Sequence, residues 1–361
     1  MRIRKAILTG GGRATRLRPI TTTLNKHLIP LANQPMIFHA IQKAAEAGIE
    51  EIFINTNPGE TELPKAVGDG SRWGIKIKYF EQTGGPQGIA HVVKCAEPFI
   101  GSDPFMFYLS DNIILGSLRP FFSAFSDGNF DGMLAFAQVP DPERFGVPVL
   151  NSQGQLIDTL EKPSNPPNDF AITGIYLFGP RVFFEAFARI KPSARGEYEL
   201  PDVVSYLLKN GKRIGWQEIT GWWKDTGKPE DLLSANRLLL DELAAEAFVT
   251  ASGVEDIFER SGNVAISHGT VIGPNVLLRG PVMIGESCML ENCTIGPYVT
   301  VGKGSTVKQA TIKESIVLGN CVIDAPIQIA ESIIGEQAKV LPNGKGGFQK
   351  MILGDHTLIK V

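Results

Sequence analysis

The residues best suited to chemistry lie just after the first apolar run of the chain. The segment Gly10-Gly11-Gly12-Arg13-Ala14-Thr15-Arg16-Leu17-Arg18-Pro19 combines three glycines with three arginines. Glycines let backbone N–H groups come close to phosphate oxygens, and Arg13, Arg16 and Arg18 add positive charge, so the segment reads as an anion-binding loop. Two familiar phosphate loops do not fit it. The pattern GxxxxGK[ST] is absent. The dinucleotide pattern GxGxxG fails at its third glycine, where Thr15 stands, and the second apolar run ends on Asn55 instead of an acid. A tight structural turn accounts for the glycines alone. Three arginines within six residues need an anion or open solvent.

The elements around this loop decide what it can reach. Lys5–Thr9 reads as a buried strand. Pro35 opens a helical segment, Met36–Ala47, which Gly48 stops. Glu51–Asn55 reads as the next strand, giving a parallel strand–helix–strand unit and therefore an α/β domain. In such a sheet ligands bind beyond the carboxyl ends of the strands, where the glycine loop sits. Phe105–Leu109 and Met133–Ala137 look like further central strands, and a leucine- and alanine-rich helical stretch from Glu230 to Phe248 closes this half.

From about residue 264 the pattern changes. Aliphatic residues recur every six or five positions at Ile272, Leu278, Ile284, Leu290, Ile295, Val301, Val307, Ile312, Leu318, Ile323, Ile329, Ile334 and Val340. Small or β-branched residues follow many of them by four, at Val276, Val282, Cys288, Thr294, Val299 and Ser305. Neither a helical period of 3.6 nor a strand period of 2 explains this. A hexapeptide repeat does, with three short strands per coil of a triangular parallel β-helix and each aliphatic pointing inward. The expected domains are 1–240, a helical linker 241–263, and a β-helix 264–361.

Composition narrows the setting. With 361 residues there is length for two domains, and a net charge of −3 offers no broad basic field for nucleic acid or a membrane surface. No run approaches the ~20 apolar residues of a membrane helix, and the stretch after Lys5 is too short for a signal-peptide core. Cys95, Cys288, Cys293 and Cys321 form no CxxC pair. The expectation is a reduced, cytoplasmic protein that binds neither nucleic acid nor membrane.

Together the motifs resemble a family. Gly11-Gly-x-x-Thr-Arg-Leu-x-Pro19, Asn25-Lys-x-Leu-x-Pro30 and Gln34-Pro-Met-Ile37 look like the signature of sugar nucleotidylyltransferases, closest to the long-type glucose-1-phosphate thymidylyltransferases. The likeness continues through Glu81-Gln82, Pro86-x-Gly-Ile-Ala90, Leu109-Ser-Asp-Asn112, Phe145-Gly-Val147, Glu161-Lys-Pro163, Thr173-Gly-Ile-Tyr176, Arg195-Gly-Glu197 and Trp223-Lys-Asp-Thr-Gly227, in order across the first half. It implies a Rossmann-like nucleotidyltransferase domain with a mixed, mostly parallel sheet, followed by a left-handed parallel β-helix.

It also implies roles. Asp111 and Asp225 hold Mg²⁺, a cation that accepts one or two carboxylates beside substrate phosphates. Arg16 contacts the leaving pyrophosphate and Lys26 the triphosphate. Lys162 and Arg195 take the phosphate of a sugar 1-phosphate; Glu161 and Gly146 face its hydroxyls, with Leu109, Ile172 and Thr173 lining the pocket. Gly11, Gly12, Ala14, Thr15, Gln82, Gly88 and Asp111 surround the nucleotide, Gln82 and Gly88 reading the base of dTTP or UTP. No covalent intermediate is required, in keeping with the absence of a Ser-His-Asp or Cys-His signature.

The chain departs from the family at Ala14 and Ser110, where glycine is usual, at Gln34 for lysine, and at Thr9 and Gly10 for leucine and alanine. Ala14 must either keep φ negative or tolerate strain. For the β-helix, homo-oligomeric assembly or regulation is expected over a second, acyl-transferring activity, since His268 and His356 lack a surrounding signature.

Overall fold

The computed structural model describes the chain except residues 1, 13, 83, 86, 220–222, 244, 254–257, 343–347, 350 and 361, so Arg13 and Pro86 lie outside the described residues. The chain forms two compact units, one of residues 1–12 and 37–225, the other of 13–36 and 226–361.

The first unit is built on a seven-stranded sheet ordered Ile214–Glu218, Gly132–Gln138, Phe170–Phe178, Phe105–Tyr108, Lys5–Thr9, Glu51–Thr56 and Lys76–Glu81. Only Phe170–Phe178 runs antiparallel to its neighbours; the other pairings are parallel. The central strands are buried on both faces, hence their unbroken apolar runs. Phe105, Phe178 and Phe183 lie in the core beside one another, and each fully buried phenylalanine contributes roughly 2–3 kcal/mol. The strand Lys5–Thr9 sits between Phe105–Tyr108 and Glu51–Thr56. The connections after it therefore run first to one side and later to the other. That reversal opens a crevice beyond the carboxyl ends of Lys5–Thr9 and Phe105–Tyr108.

Two boundaries move from the expected ones. Pro35 pairs with Pro30 in a two-residue ladder, and the helix starts after it, as Met36–Glu46. The later helix runs Pro229–Glu242 and stops well before Phe248, since Leu243 takes an extended conformation.

In the second unit, the strands from Glu259–Ser261 to Leu358–Lys360 form three six-stranded parallel sheets, successive strands passing from sheet to sheet as a three-sided β-helix requires. All thirteen expected aliphatics are buried, but the register shifts once. The ladder runs Val301, Val317, Ile334, so Val317 takes the inward place expected for Leu318, which is buried outside the core cluster. The five-residue step thus falls between Ile312 and Val317. The small inward residue stands two places before each aliphatic, which puts Cys293 inside and leaves Thr294 half-buried. Asn275, Asn292 and Asn320 turn corners with positive φ, which asparagine tolerates, and Asn275 Nδ2 donates to Asn292 Oδ1 at 2.8 Å.

No helix among the described residues is long and apolar enough to cross a membrane.

Candidate active site

The first unit carries the expected residues other than Ala14, Thr15, Arg16 and Lys26. The glycine loop leaves Thr9 and is tied to the loop after Glu51–Thr56. Gly10 N–H donates to Asn55 Oδ1 at 3.1 Å and Gly12 N–H to Asn57 Oδ1 at 2.8 Å. A Cβ on Gly10 would stand 2.7 Å from the Asn55 carbonyl oxygen, so only glycine permits this approach. The Gly12 amide, expected to face phosphate, is here engaged by a side chain on an exposed loop.

Two departures from the family explain each other. Ser110 N–H donates to Thr9 Oγ1 at 3.0 Å, and the Ser110 hydroxyl donates to the Thr9 carbonyl. Thr9 and Ser110 are both buried and bridge the crevice where the strand order reverses. A leucine and a glycine at these places lack that bridge.

Asp111 follows directly. Asn112 Nδ2 donates to Asp111 Oδ1 at 2.8 Å. Asp225, expected in a turn, ends the short strand Trp223–Asp225, which pairs antiparallel with Asn112–Ile114. The register places Asp225 opposite Asn112, one residue from Asp111. Opposed residues in such a ladder have Cα atoms about 5 Å apart. Trp223 fixes the ladder: its Nε1–H lies 2.7 Å from Asn112 Oδ1 and 3.1 Å from the Thr173 carbonyl. Tyr108, fully buried, donates to the Asn112 carbonyl at 2.8 Å; burial, then the Asp111 charge, raises its pKa above the ordinary value.

Among the described residues no three of His, Cys, Asp or Glu cluster as metal ligands. Two aspartates on adjoining ladder positions, with no third such ligand clustered among the described residues, suit a cation that takes its remaining ligands from water and phosphate, and they do not suit zinc. The residues present therefore fit Mg²⁺.

A second group forms around Glu161. The strands Gly146–Leu150 and Leu156–Glu161 pair antiparallel with Glu161 opposite Gly146. Glu161 Oε1 lies 3.3 Å from both Lys162 Nζ and Arg195 Nη2. The two cations expected on the sugar phosphate thus converge on one carboxylate. Lys162 has φ +47°, strained for a lysine, and its N–H donates to the Phe145 carbonyl at 2.9 Å. Arg195 is anchored by Glu199, whose Oε1 accepts from Nη2 at 2.7 Å and Nε at 3.2 Å; that bond, then the nearby carboxylates, raise the guanidinium pKa. Phe145 meets Trp223 edge-on at 5.3 Å, linking this group to the aspartates. Ile172 packs beside Gly146. Thr173, expected to line the pocket, is completely buried; its hydroxyl donates to the Ala135 carbonyl at 2.9 Å. Leu109 donates its N–H to the Gly174 carbonyl at 3.0 Å.

A third group holds Gln82 and Gly88. Gln82 Nε2 reaches the Gly88 carbonyl at 3.4 Å and His91 Nδ1 at 3.1 Å. Burial lowers the His91 pKa, favouring the neutral ring that accepts this hydrogen. Gly88 has φ +94°, and a Cβ there would stand 2.6 Å from the Tyr198 carbonyl oxygen and 2.7 Å from its nitrogen. Tyr198 in turn donates to Gln87 O at 2.8 Å and accepts from Ala90 N at 3.1 Å. Gly88→Ala is expected to break this bracket at a cost of about 1–3 kcal/mol, lowering Tm and raising KM for the nucleotide roughly 10-fold. An unchanged KM contradicts the placement.

Arg16 and Lys26 belong to the second unit. Arg16 is exposed in the turn Thr15–Leu17, and Lys26 begins the turn Lys26–Leu28, capped by Asn25 Oδ1 accepting from His27 N at 2.9 Å. Ala14 adopts φ +43°, so the loop takes the strained alternative. Its carbonyl accepts from Leu17 N at 3.0 Å and from the Thr21 hydroxyl at 2.8 Å, which hold that conformation.

The positioning residues Asn55, Asn57, Glu199 and Tyr198 had no signal of their own in the sequence. Asn112 and Trp223 stood inside quoted motifs, but their bond to each other crosses 111 residues. In the β-helix, burial pushes the thiols of Cys293 and Cys321 up to about 12, so they are packing groups. His268 and His356 are exposed.

Comparison with known proteins identifies the family. The model of the family described as nucleotidyl transferase matches residues 5–242. The low-salt glycan biosynthesis nucleotidyltransferase Agl11 of Haloferax volcanii is 36% identical over 99% of this chain and 100% of its own length. A glucose-1-phosphate thymidylyltransferase of Streptomyces griseus is also 36% identical, over 99% of each chain. Among solved structures, a putative glucose-1-phosphate thymidylyltransferase from Bacillus anthracis, crystallised with a sucrose, superposes with a TM-score of 0.61 at 36% identity, covering 65% of this chain and 94% of that one. With the family model matched over residues 5–242 and relatives matched from end to end, the chain belongs to the nucleotidyl transferase family.

Proposed function

We propose that this enzyme couples a sugar 1-phosphate to a nucleoside triphosphate with release of pyrophosphate, and that glucose 1-phosphate and dTTP are its preferred pair. One observation carries the reading. The first unit brings Asp225 opposite Asn112, the neighbour of Asp111, and holds, linked to this ladder through Trp223 and Phe145, two cations converging on one carboxylate. The two aspartates suit a divalent ion with phosphates, the two cations a phosphate dianion. The names of the whole-length relatives support the choice of sugar and nucleotide.

An oxygen of the sugar phosphate attacks the α-phosphorus, a bond forms there, and the bond to the β-phosphate oxygen breaks in line. Lys162 and Arg195 hold the attacking phosphate by charge-assisted bonds. The phosphate displaces Glu161 from them, freeing its carboxylate to accept from a sugar hydroxyl beside Gly146, with Ile172 and Leu109 as apolar walls. Thr173 serves through Trp223, since its hydroxyl is committed to Ala135. Gln82, held by His91, meets the base edge with its amide and the Gly88 backbone. Arg16 draws charge from the leaving pyrophosphate, and Lys26 from the triphosphate; Gly11, Gly12, Ala14 and Thr15 supply the loop backbone.

Sugar nucleotidyltransferases of this family are generally metal-dependent. When bound by Asp111 and Asp225, Mg²⁺ offsets the repulsion between the two anionic reactants and stabilises charge on the phosphates. The protein's further contribution is positioning, worth up to roughly 7–11 kcal/mol. Residues 1–240 form the transferring half, 241–263 the linker and 264–361 an assembly domain for a cytoplasmic homo-oligomer.

A matrix of nucleoside triphosphates against sugar 1-phosphates, scored by pyrophosphate release, tests the substrate assignment. The highest kcat/KM is expected for dTTP with glucose 1-phosphate. A preference for UTP refutes the nucleotide assignment.

A further inference from the structure

Residues 13–36 carry Arg16 and Lys26, yet they pack in the same compact unit as the β-helix. The ties are specific. Ala32 and Asn33 form the tip of the hairpin between Pro30–Leu31 and Gln34–Pro35, with φ +47° and +58°. Two successive positive φ values mark a type I′ turn, where glycine and asparagine are favoured and an alanine such as Ala32 needs outside support. That support comes from the rest of the unit. Asn33 Nδ2 donates to the carbonyls of Met283 and Val301, both at 3.1 Å, on neighbouring coils of one β-helix face. Ala32 N–H donates at 2.8 Å to Oδ1 of Asn236, a buried residue of the helix Pro229–Glu242.

Earlier in the segment, the Thr23 hydroxyl donates to Asp355, whose other oxygen accepts from Glu336 N at 2.8 Å. Pro19 packs on Gly354, where an added Cβ would approach the Pro19 Cβ to 3.1 Å. Anchors at residues 19, 23, 32 and 33 thus flank Lys26 on both sides and begin three residues after Arg16.

We propose that the β-helix is the scaffold that positions the Arg16 and Lys26 segment for catalysis, with Asn33 as its main positioning residue and Thr23–Asp355 as a second tie. The inference rests on the reading of Arg16 and Lys26 as triphosphate ligands. It gives the C-terminal repeats a share in nucleotidyl transfer that is separate from assembly: a loop holding triphosphate loses rate when its geometry is loose.

The test uses the full-length chain with Asn33→Ala and Thr23→Val, read by steady-state kinetics and by trypsin cleavage after Arg16 and Lys26. Losing both Asn33 bonds is expected to raise KM for the triphosphate by about 10-fold while KM for the sugar phosphate stays within about 2-fold. Trypsin cleavage at the two sites is expected to quicken on the order of 10-fold. Thr23→Val, an exposed position, is expected to shift both readouts the same way by roughly 3-fold, and it decides the matter if Asn33→Ala does not fold. Equal changes in both KM values, or faster cleavage with neither KM altered, overturn the positioning role. If the parent protein couples no substrate pair, the proposed function fails. Cleavage rates equal to the parent's overturn the anchoring in either case.

Discussion

Replacing Asp111 or Asp225 with alanine is expected to lower kcat by about 10³-fold, roughly 4 kcal/mol of transition-state stabilisation, with little change in melting. The size follows from the reaction. Both reactants are anions, so removing a carboxylate that holds the neutralising cation exposes the full repulsion between them. The structural cost is small because the backbone is fixed by other groups. Trp223 bonds to Asn112 and Thr173, and Tyr108 bonds to the Asn112 carbonyl, so the ladder from Asn112 to Asp225 keeps these ties when either carboxylate is removed. Pyrophosphate release and thermal melting, measured together on each variant, check this. Near-normal turnover in both refutes the metal assignment. Trp223→Phe offers the converse, keeping both carboxylates while loosening the ladder between them.

The second large effect is expected at Lys162. Lys162→Ala should raise KM for the sugar 1-phosphate about 10- to 100-fold, the value of one charge-assisted bond, while KM for the triphosphate changes little. The side chain is half exposed and pairs only loosely with Glu161, so stability is not at stake. Its backbone, however, sits at φ +47°. Lys162→Gly removes that strain and should melt no lower than Lys162→Ala, though both lose sugar-phosphate affinity equally. Arg195 differs: Glu199 is largely buried and relies on it, so Arg195→Ala combines lost affinity with a carboxylate left without its cation. Initial rates at varied sugar phosphate separate the two positions, and an unchanged KM for Lys162→Ala removes its role.

Much of this was legible in the sequence because it is written in local patterns. Lys5–Thr9 and Glu51–Thr56 emerge as apolar runs bounded by glycine and asparagine, and the sheet places the loop after Thr9 at its switch point. The inward aliphatics of the β-helix follow from their spacing. The register slip at Val317 does not, because Val317 and Leu318 are both apolar and only pairing with Val301 and Ile334 chooses between them. Pairings across long stretches of chain were invisible for the same reason. Asp225 reads as a turn residue because three residues are too few to show strand alternation, and its ladder partner, Asn112, lies 113 residues earlier. Thr9 and Ser110 stood out separately as departures. Their mutual bond, which makes sense of both, requires the fold.

The placement of segment 13–36 is the largest case. Its motif reads as part of the nucleotide loop, and nothing local signals that Asn33 donates to carbonyls some 250 residues away. Long-range polar ties of this kind carry no periodicity.

The central claim is transfer of a nucleotidyl group from the α-phosphorus. The direct measurement is to supply dTTP labelled separately at the α- and γ-phosphorus together with glucose 1-phosphate and Mg²⁺, and to follow both labels. The α-label is expected in a nucleoside diphosphate sugar and the γ-label in pyrophosphate, in equal amounts. Release of the γ-label as free phosphate, its transfer to the sugar, or no movement of either label would contradict the account.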